Sequence, residues 1–209
     1  MASTQSTDRG HWLFKSEAEV YGYPQLQRDR RTFWSGVRNY QARNLLRDAI
    51  KVGDGVLFYH SNSDPTAIVG IAKVVKSGYP DPTQFDPSSP YHDPDSDPNE
   101  PRWFCVDIAP VLALPAPITR EQLKEDPALA DMMVLRRGAR LSVQPVTPVE
   151  WRAILAIAGV DPISALDGAG AQAGAARGPE VVTKSSRAAS ASRASSKPRL
   201  QRGRRWGDR

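Results

Sequence analysis

Apolar positions along this chain follow two periods, and the places where the period changes mark its elements. His11 to Lys15 (HWLFK) is a short apolar run that predicts a first strand. Val56 to His60 and Ala67 to Val75 are apolar at nearly every position, the pattern of strands covered on both faces. Gly70 inside the second of these predicts a bulge or a close backbone approach. Arg102 to Ile108 alternates, with Phe104, Val106 and Ile108 on one face and Trp103, Cys105 and Asp107 on the other. A helical period appears at Ala42, Leu45, Leu46, Ala49 and Ile50, predicting a helix over residues 39–50 with Asn39 as its cap. A turn at Lys51 to Gly55 follows it.

Two further helix starts are written in polar residues. Thr119 and Gln122 have capping-box spacing, as do Thr147 and Glu150, where Pro148 takes the first helical position. Val146 and Trp151 are spaced as a hydrophobic staple, Trp151, Ile154, Leu155 and Ala158 form a buried stripe, and Gly159 ends the helix. Between Pro80 and Pro101 lie seven prolines and six acidic residues, which exclude a helix or a central strand. So long a connection reads as functional or mobile. Short mixed strands with three short helices between them predict an α+β fold, a small barrel decorated with helices.

Composition divides the 209 residues in two. From Gly168 onward the chain is Ala, Gly, Ser and Arg, with a net charge of +8; the whole chain is +5, which leaves −3 for residues 1–167. The basic segment is suited to polyanions, whereas the mildly acidic body is a poor non-specific binder of them. The expected organisation is a disordered N-terminus (1–10), one folded domain (11–162) and a disordered basic tail (163–209) that lacks the apolar area to offset chain entropy. A single Cys105 excludes an internal disulfide and a multi-cysteine metal site. With neither a signal peptide nor an apolar run of membrane-spanning length, the expectation is a cytoplasmic monomer, nucleoid-associated in a bacterium or nuclear in a eukaryote.

Two runs carry the candidate chemistry: Trp34 to Asn44 (WSGVRNYQARN) and Arg136 to Val146 (RRGARLSVQPV). Each sets apolar residues among Arg, Asn, Gln and Ser, the mixture of a lined pocket in which apolar faces hold a ligand and amides and hydroxyls orient it. Together with WLFKSE (Trp12 to Glu17), KVGDGVLFYHSN (Lys51 to Asn62), VGIAKVV (Val69 to Val75) and PRWFCVDI (Pro101 to Ile108), they resemble the signature stretches of the EVE domain family. That family belongs to the PUA-like superfamily and is related to YTH modules. Ala18 stands where many relatives have Pro, Ser35 where an acidic residue is common, and Ala139 where Ser is common; the basic tail is outside the family pattern.

The resemblance implies a PUA-like pseudo-β-barrel of short mixed strands with short helices around it. It also implies a pocket for a flipped, modified base, cytosine or adenine, in DNA more than RNA. Trp34 is the expected stacking platform, with Gly36 beside it letting backbone approach a ligand; the competing reading of Trp34 is plain core. Asn39, Gln41 and Gln144 supply amides that both donate and accept, and Ser16, Ser61 and Ser142 supply hydroxyls. Val37, Tyr59 and His60 complete the expected ligand-binding set. Asn39 reads equally as a helix cap, Ser61 as a strand-end turn, and Ser142 with Gln144 as one polar face of an exposed edge. Arg38, Arg43, Arg136, Arg137 and Arg140 are the phosphate candidates, since a guanidinium fork matches phosphate bidentately; their alternative is surface ion pairing with the many Asp residues.

Rival readings were an RNA-binding PUA-like module, a tail-driven chromatin or nucleoid binder, and a hydrolase acting on nucleic acid or nucleotide. His60, Ser61, Asp54 and Asp64 are near in sequence, but chain proximity does not make a triad. Asp93, Asp95 and Asp97 begin like a calcium loop, yet Pro98 occupies the glycine position and Phe104 the final glutamate position. No phosphate-binding loop or dinucleotide fingerprint is present, so no cofactor and no metal are expected.

Overall fold

The computed structural model of the chain describes residues 9–161 together with Leu166. Most of the expected disordered N-terminus and basic tail therefore lies outside the described residues. Six strands form one mixed sheet: β1 (His11–Glu17), β2 (Thr32–Phe33), β3 (Gly55–Ser61), β4 (Ala67–Pro80), β5 (Phe104–Thr119) and β6 (Val143–Val146). Their spatial order is β2-β5-β4-β3-β1-β6. Only β1 and β3 run parallel; every other pairing is antiparallel. Helices α1 (Tyr23–Asp29), α2 (Tyr40–Asn44), α3 (Arg120–Glu125) and α4 (Pro148–Ala158) decorate the sheet. The strand order leaves β2 and β6 as edges, so the barrel is not closed by hydrogen bonds.

The two faces of the sheet carry two cores, which is why its strands are apolar throughout. Phe14, Phe58, Val56, Trp34, Val106 and Ile108 pack on one side, with Leu46 and Ile50. Leu13, Leu57, Tyr59, Ile71, Trp151 and Leu155 pack on the other. Leu166 belongs to this second core and is 7% exposed. Both expected capping boxes form, and Gly159 ends α4 in the left-handed region at φ 65°.

Three expectations need correction. First, β4 and β5 are longer than the apolar runs that predicted them. Residues 109–119 contain Pro110, Pro115 and Pro117, which argue against a strand, yet they pair with β4 across register shifts. A proline cannot donate to a ladder, and a bulge is where the missing donor is tolerated. Second, the helix expected over residues 39–50 stops being an α-helix halfway. A π-helical turn spans Leu45–Ala49, and the Ile50 N–H donates to the Leu45 carbonyl at 3.0 Å. The wider turn leaves Ala42, Leu46 and Ile50 fully buried and swings Ala49 out to solvent. It lies against Gly78 of β4, where a Cβ would stand 2.9 Å from the Arg47 Cα. Third, the proline-rich connection is built into the protein. It holds a 3-10 turn at Pro82–Gln84 whose Gln84 is fully buried. Gln84 donates to the Asp81 and Trp103 carbonyls at 2.7 and 2.9 Å and accepts from the Trp103 N–H at 2.9 Å.

Gly70 meets the first part of its expectation, a bulge, while the group that approaches it is a side-chain ring and not backbone. The β3–β4 register shifts between Phe58 and Tyr59, where Phe58 pairs with Gly70, and the Tyr23 ring occupies the space a Cβ would need.

Candidate functional site

Two adjoining cavities open where the two signature runs meet. The first, about 380 Å³, is lined by Lys15, Trp34, Ser35, Gly36, Val37, Arg38, Asn39, Pro90, Tyr91 and Ser142. The second, about 410 Å³, is a groove lined by Asn39, Gln41, Met133, Arg136, Arg137, Gly138, Ala139, Arg140 and Leu141. They share Asn39 and are separated by the Leu141–Ser142 segment. Each volume is in the range that accepts a small organic ligand.

The first cavity is made by holding chain segments apart. Just past β2, the Trp34 N–H donates to the Val106 carbonyl at 2.7 Å. The indole, 1% exposed, packs on Phe14 at 5.1 Å between ring centroids and edge-on to Phe58 at 5.6 Å. The competing reading of Trp34 as core describes its indole, while the residue also lines the cavity. Gly36 follows at φ +75°, and a Cβ there would stand 2.9 Å from the Tyr91 ring. Gly36 lines the cavity, and the space its missing side chain leaves is taken by the Tyr91 ring. An L-residue at that φ is strained, and any side chain would displace the ring.

Asp81 at the end of β4 ties the segments together. Its fully buried carboxylate accepts from the Gly36 N–H at 2.9 Å, from Arg38 at 2.9 Å and from the Thr83 N–H at 2.9 Å. Arg38 also donates to Thr83 Oγ1 at 3.0 Å and to the Tyr91 carbonyl at 3.0 Å, and lies over the rings of Tyr91 and Trp103. Its donors are turned inward, so Arg38 braces the wall of the site. Arg43 donates to the Arg102 carbonyl at 2.8 Å and to Asn44 at 2.8 Å. Arg136 donates to the Asp131 carbonyl at 3.1 Å. Arg137 and Arg140 are exposed, and among the described residues they make neither a hydrogen bond nor an ion pair.

Lys15 links the cavities. Its Nζ donates to the Ala139 carbonyl at 3.0 Å, and its backbone N–H donates to the Ser142 carbonyl at 2.8 Å. Burial, with Arg120 adding to it, holds the Lys15 ammonium below its ordinary pKa. Asn39 is the α2 cap: its Oδ1 accepts from the Gln41 and Ala42 N–H groups at 2.9 and 3.1 Å. Its Nδ2 is left to donate at the junction of the two cavities.

Of the expected ligand-binding residues, Trp34, Val37, Asn39 and Ser142 line the first cavity, and Asn39 and Gln41 line the second. The others stand elsewhere. Ser16 is buried and paired in register with His60 at the far end of β1 and β3. His60 Nε2 accepts the Tyr23 N–H at 3.2 Å at the start of α1, and burial lowers its pKa. Ser61 pairs with Glu17 in register. Tyr59 lies in the second core, and Gln144 pairs in register with Leu13 of that core. The Gln144 amide donates to the Leu141 carbonyl at 2.9 Å. The residues that sequence reasoning missed are Lys15, Ser35, Pro90 and Tyr91. Tyr91 sits in a stretch of Asp, Pro and Ser with no periodicity, and Arg38, bonded to both Asp81 and the Tyr91 carbonyl, brings it to the cavity.

Asp54 and His60, two residues of the hydrolase reading, do not share a site. Asp54 precedes β3 and His60 is near its other end, six residues or roughly 20 Å away along a strand. Asp54 accepts from Trp12 Nε1 at 2.8 Å and from the Lys51 N–H at 2.9 Å. Cys105 is fully buried, and burial pushes its thiol far above the ordinary range, so it is no nucleophile. No cluster of potential metal ligands occurs among the described residues, nor does any helix there that is long and apolar enough to cross a membrane.

Known proteins resemble this chain in sequence and in fold. The EVE domain model matches residues 10–157. Thymocyte nuclear protein 1 of Gallus gallus is 40% identical over 166 residues, 70% of this chain and 68% of that protein. A crystal structure of a protein from Pseudomonas putida is similar at 42% identity and a TM-score of 0.68, covering 71% of this chain and 99% of that one. The structure of human thymocyte nuclear protein 1 in complex with DNA containing 5-methylcytosine is similar at 38% identity and a TM-score of 0.66, covering 73% and 99%. With its signature runs, its mixed six-stranded sheet and a family match across residues 10–157, the chain belongs to the EVE domain family.

Proposed function

We propose that this protein is a non-enzymatic reader of modified DNA, and that the cavity beside Trp34 receives a single extruded base, 5-methylcytosine foremost. The observation that carries the reading is the cavity itself: about 380 Å³, with Trp34, Val37, Pro90 and Tyr91 as apolar walls and Lys15, Asn39 and Ser142 as polar groups among them. Its size and mixed lining suit a flat heterocycle with one hydrogen-bonding edge. Extrusion from the stack costs a few kcal/mol. Contact with an aromatic wall recovers about 1–3 kcal/mol per base. The complex of human thymocyte nuclear protein 1 with 5-methylcytosine DNA supports the choice of modification.

One methyl group in an apolar pocket is worth about 1–3 kcal/mol, so a preference of roughly ten- to hundredfold over plain cytosine is expected. The test is binding at moderate salt to oligonucleotides that differ only in the modification of one base, as DNA and as RNA. Ser142→Phe is the matching variant. Ser142 lines the cavity, and its β1 contact is made by its backbone carbonyl, so a phenyl ring there fills the space and spares that bond. The preference should vanish in this variant. Equal binding of all DNA members by the unaltered protein would end the proposal; a stronger preference within the RNA series would move it to RNA.

A further inference from the structure

The groove beside the Trp34 cavity carries more charge than its neighbour: three arginines line it, against Lys15 and Arg38 in the other. Its lining sets the amides of Asn39 and Gln41 and the loop from Arg136 to Arg140 beside the apolar side chains of Met133 and Leu141. Five arginines stand near the two cavities, and the structure separates them by what their guanidinium groups already do. Arg38 is spent on Asp81, Thr83 and the Tyr91 carbonyl. Arg43 is held by the Arg102 carbonyl and Asn44, and Arg136 is turned back to the Asp131 carbonyl. Among the described residues, Arg137 and Arg140 alone of the five make no side-chain hydrogen bond or ion pair; both are exposed and both line the groove.

The turn that carries them is closed by the Ala139 N–H, which donates to the Arg136 carbonyl at 3.3 Å. Gly138 between them is at φ +77°, and a Cβ there would meet nothing within 4 Å, so the turn opens outward. The Ala139 carbonyl is held by Lys15 Nζ, which itself lines the base cavity. One lysine thus sets the position of the arginine loop against the wall of the neighbouring pocket.

We infer that this groove is a phosphodiester site, in which Arg137 and Arg140 hold the backbone next to the extruded nucleotide while Arg38 and Arg43 shape the protein. The inference rests on the base-reader proposal for its ligand but on different residues for its chemistry. Open guanidinium forks match phosphate oxygens. The two cavities share Asn39, so a strand whose base enters one leads its backbone into the other. Contacts of this kind set register and affinity and carry no base information.

The experiment measures the salt dependence of binding with the full chain, on a DNA duplex with one 5-methylcytosine and on its plain counterpart. Arg137→Ala with Arg140→Ala is compared with a charge-matched pair, Arg28→Ala with Arg152→Ala, which are exposed and line neither cavity. Two lost phosphate contacts lower the slope of log affinity against log salt by about 1.8. Between 50 and 200 mM salt the unaltered protein should then lose about tenfold more affinity than the variant. The slope should fall equally on both duplexes, the preference for the modified base should be unchanged, and the control pair should keep the original slope. The positively charged residues 168–209 are common to every variant and cancel in the comparison. An unchanged slope, or a slope lowered as much by the control pair, overturns the assignment even where base preference persists. A lost preference at an unchanged slope overturns it too, and makes the loop part of the base cavity. Loss of base preference in the unaltered protein strikes the reader proposal alone, because the slope still tests the groove.

Discussion

Trp34 is 1% exposed and packs on Phe14 and Phe58, so cutting it back removes core as well as cavity wall. Trp34→Ala should cost about 3–5 kcal/mol of stability, read as a fall in the urea midpoint, and its lost binding would then say little about stacking. This is why the binding test above uses Ser142→Phe. His60 shows the same distance between residue type and role. As a neutral acceptor for the Tyr23 N–H, with a pKa held below 6.5 by burial, it binds its proton less readily in the folded state than in the unfolded chain. The unfolded state then holds more protons as pH falls below 6.5, so the folded state loses stability across that window, down to the lowered folded pKa. Burial lowers the His11 pKa as well and adds to the same trend. His60→Gln keeps an acceptor for the Tyr23 N–H and should flatten part of the acid-side decline in unfolding midpoints between pH 7 and pH 5. An identical decline in the variant would show that His60 does not contribute to it.

At the scale of elements, the proline-rich connection after β4 decides whether the cavity exists. Arg38 is its main brace, and Asp81 beneath it is fully buried. Arg38→Ala leaves that carboxylate without its cation. Such a loss costs about 3–5 kcal/mol where a buried pair is broken, and the partial exposure of Arg38 places the expected result at the low end. Gly36→Ala acts on the same wall from the other side. It combines a residue at φ +75° with a methyl pressed on the Tyr91 ring, and should destabilise the protein by at least about 1–2 kcal/mol. Both changes should weaken base preference more than salt dependence. The π-helical turn at Leu45–Ala49 is decided in the same way, by its neighbour. The backbone there fits against Gly78, so Gly78→Val should force the turn off β4 and cost about 1–3 kcal/mol.

For the whole molecule, charge is divided between a body of −3 and a C-terminal segment of +8. Ending the chain at residue 167 keeps Leu166 in the second core and should leave the modified-to-plain ratio intact while affinity at low salt drops steeply. A ratio that falls to one on truncation would assign recognition to the basic segment instead. At this scale too, the chain alone determined a great deal. Apolar runs on both faces of β3 and β4 required a sheet covered on two sides, and capping boxes at Thr119 and Thr147 required two helix starts, because these features depend on neighbours a few residues away. The same locality explains the correct placing of Asn39 as a cap. What the tertiary structure decided is which polar residues meet. Gln144 and Tyr59 have the chemistry of a binding site, yet Tyr59 lies in the core on the other face of the sheet and Gln144 pairs in register with Leu13 of that core, since alternate strand positions face opposite sides. Tyr91 has no local signal and reaches the Trp34 cavity through Asp81, Arg38 and Gln84, contacts that span 19 to 53 positions of sequence. Local rules fix the elements because they act through the adjoining backbone; the cavity is made of groups far apart in the chain, and only the folded sheet brings them within reach.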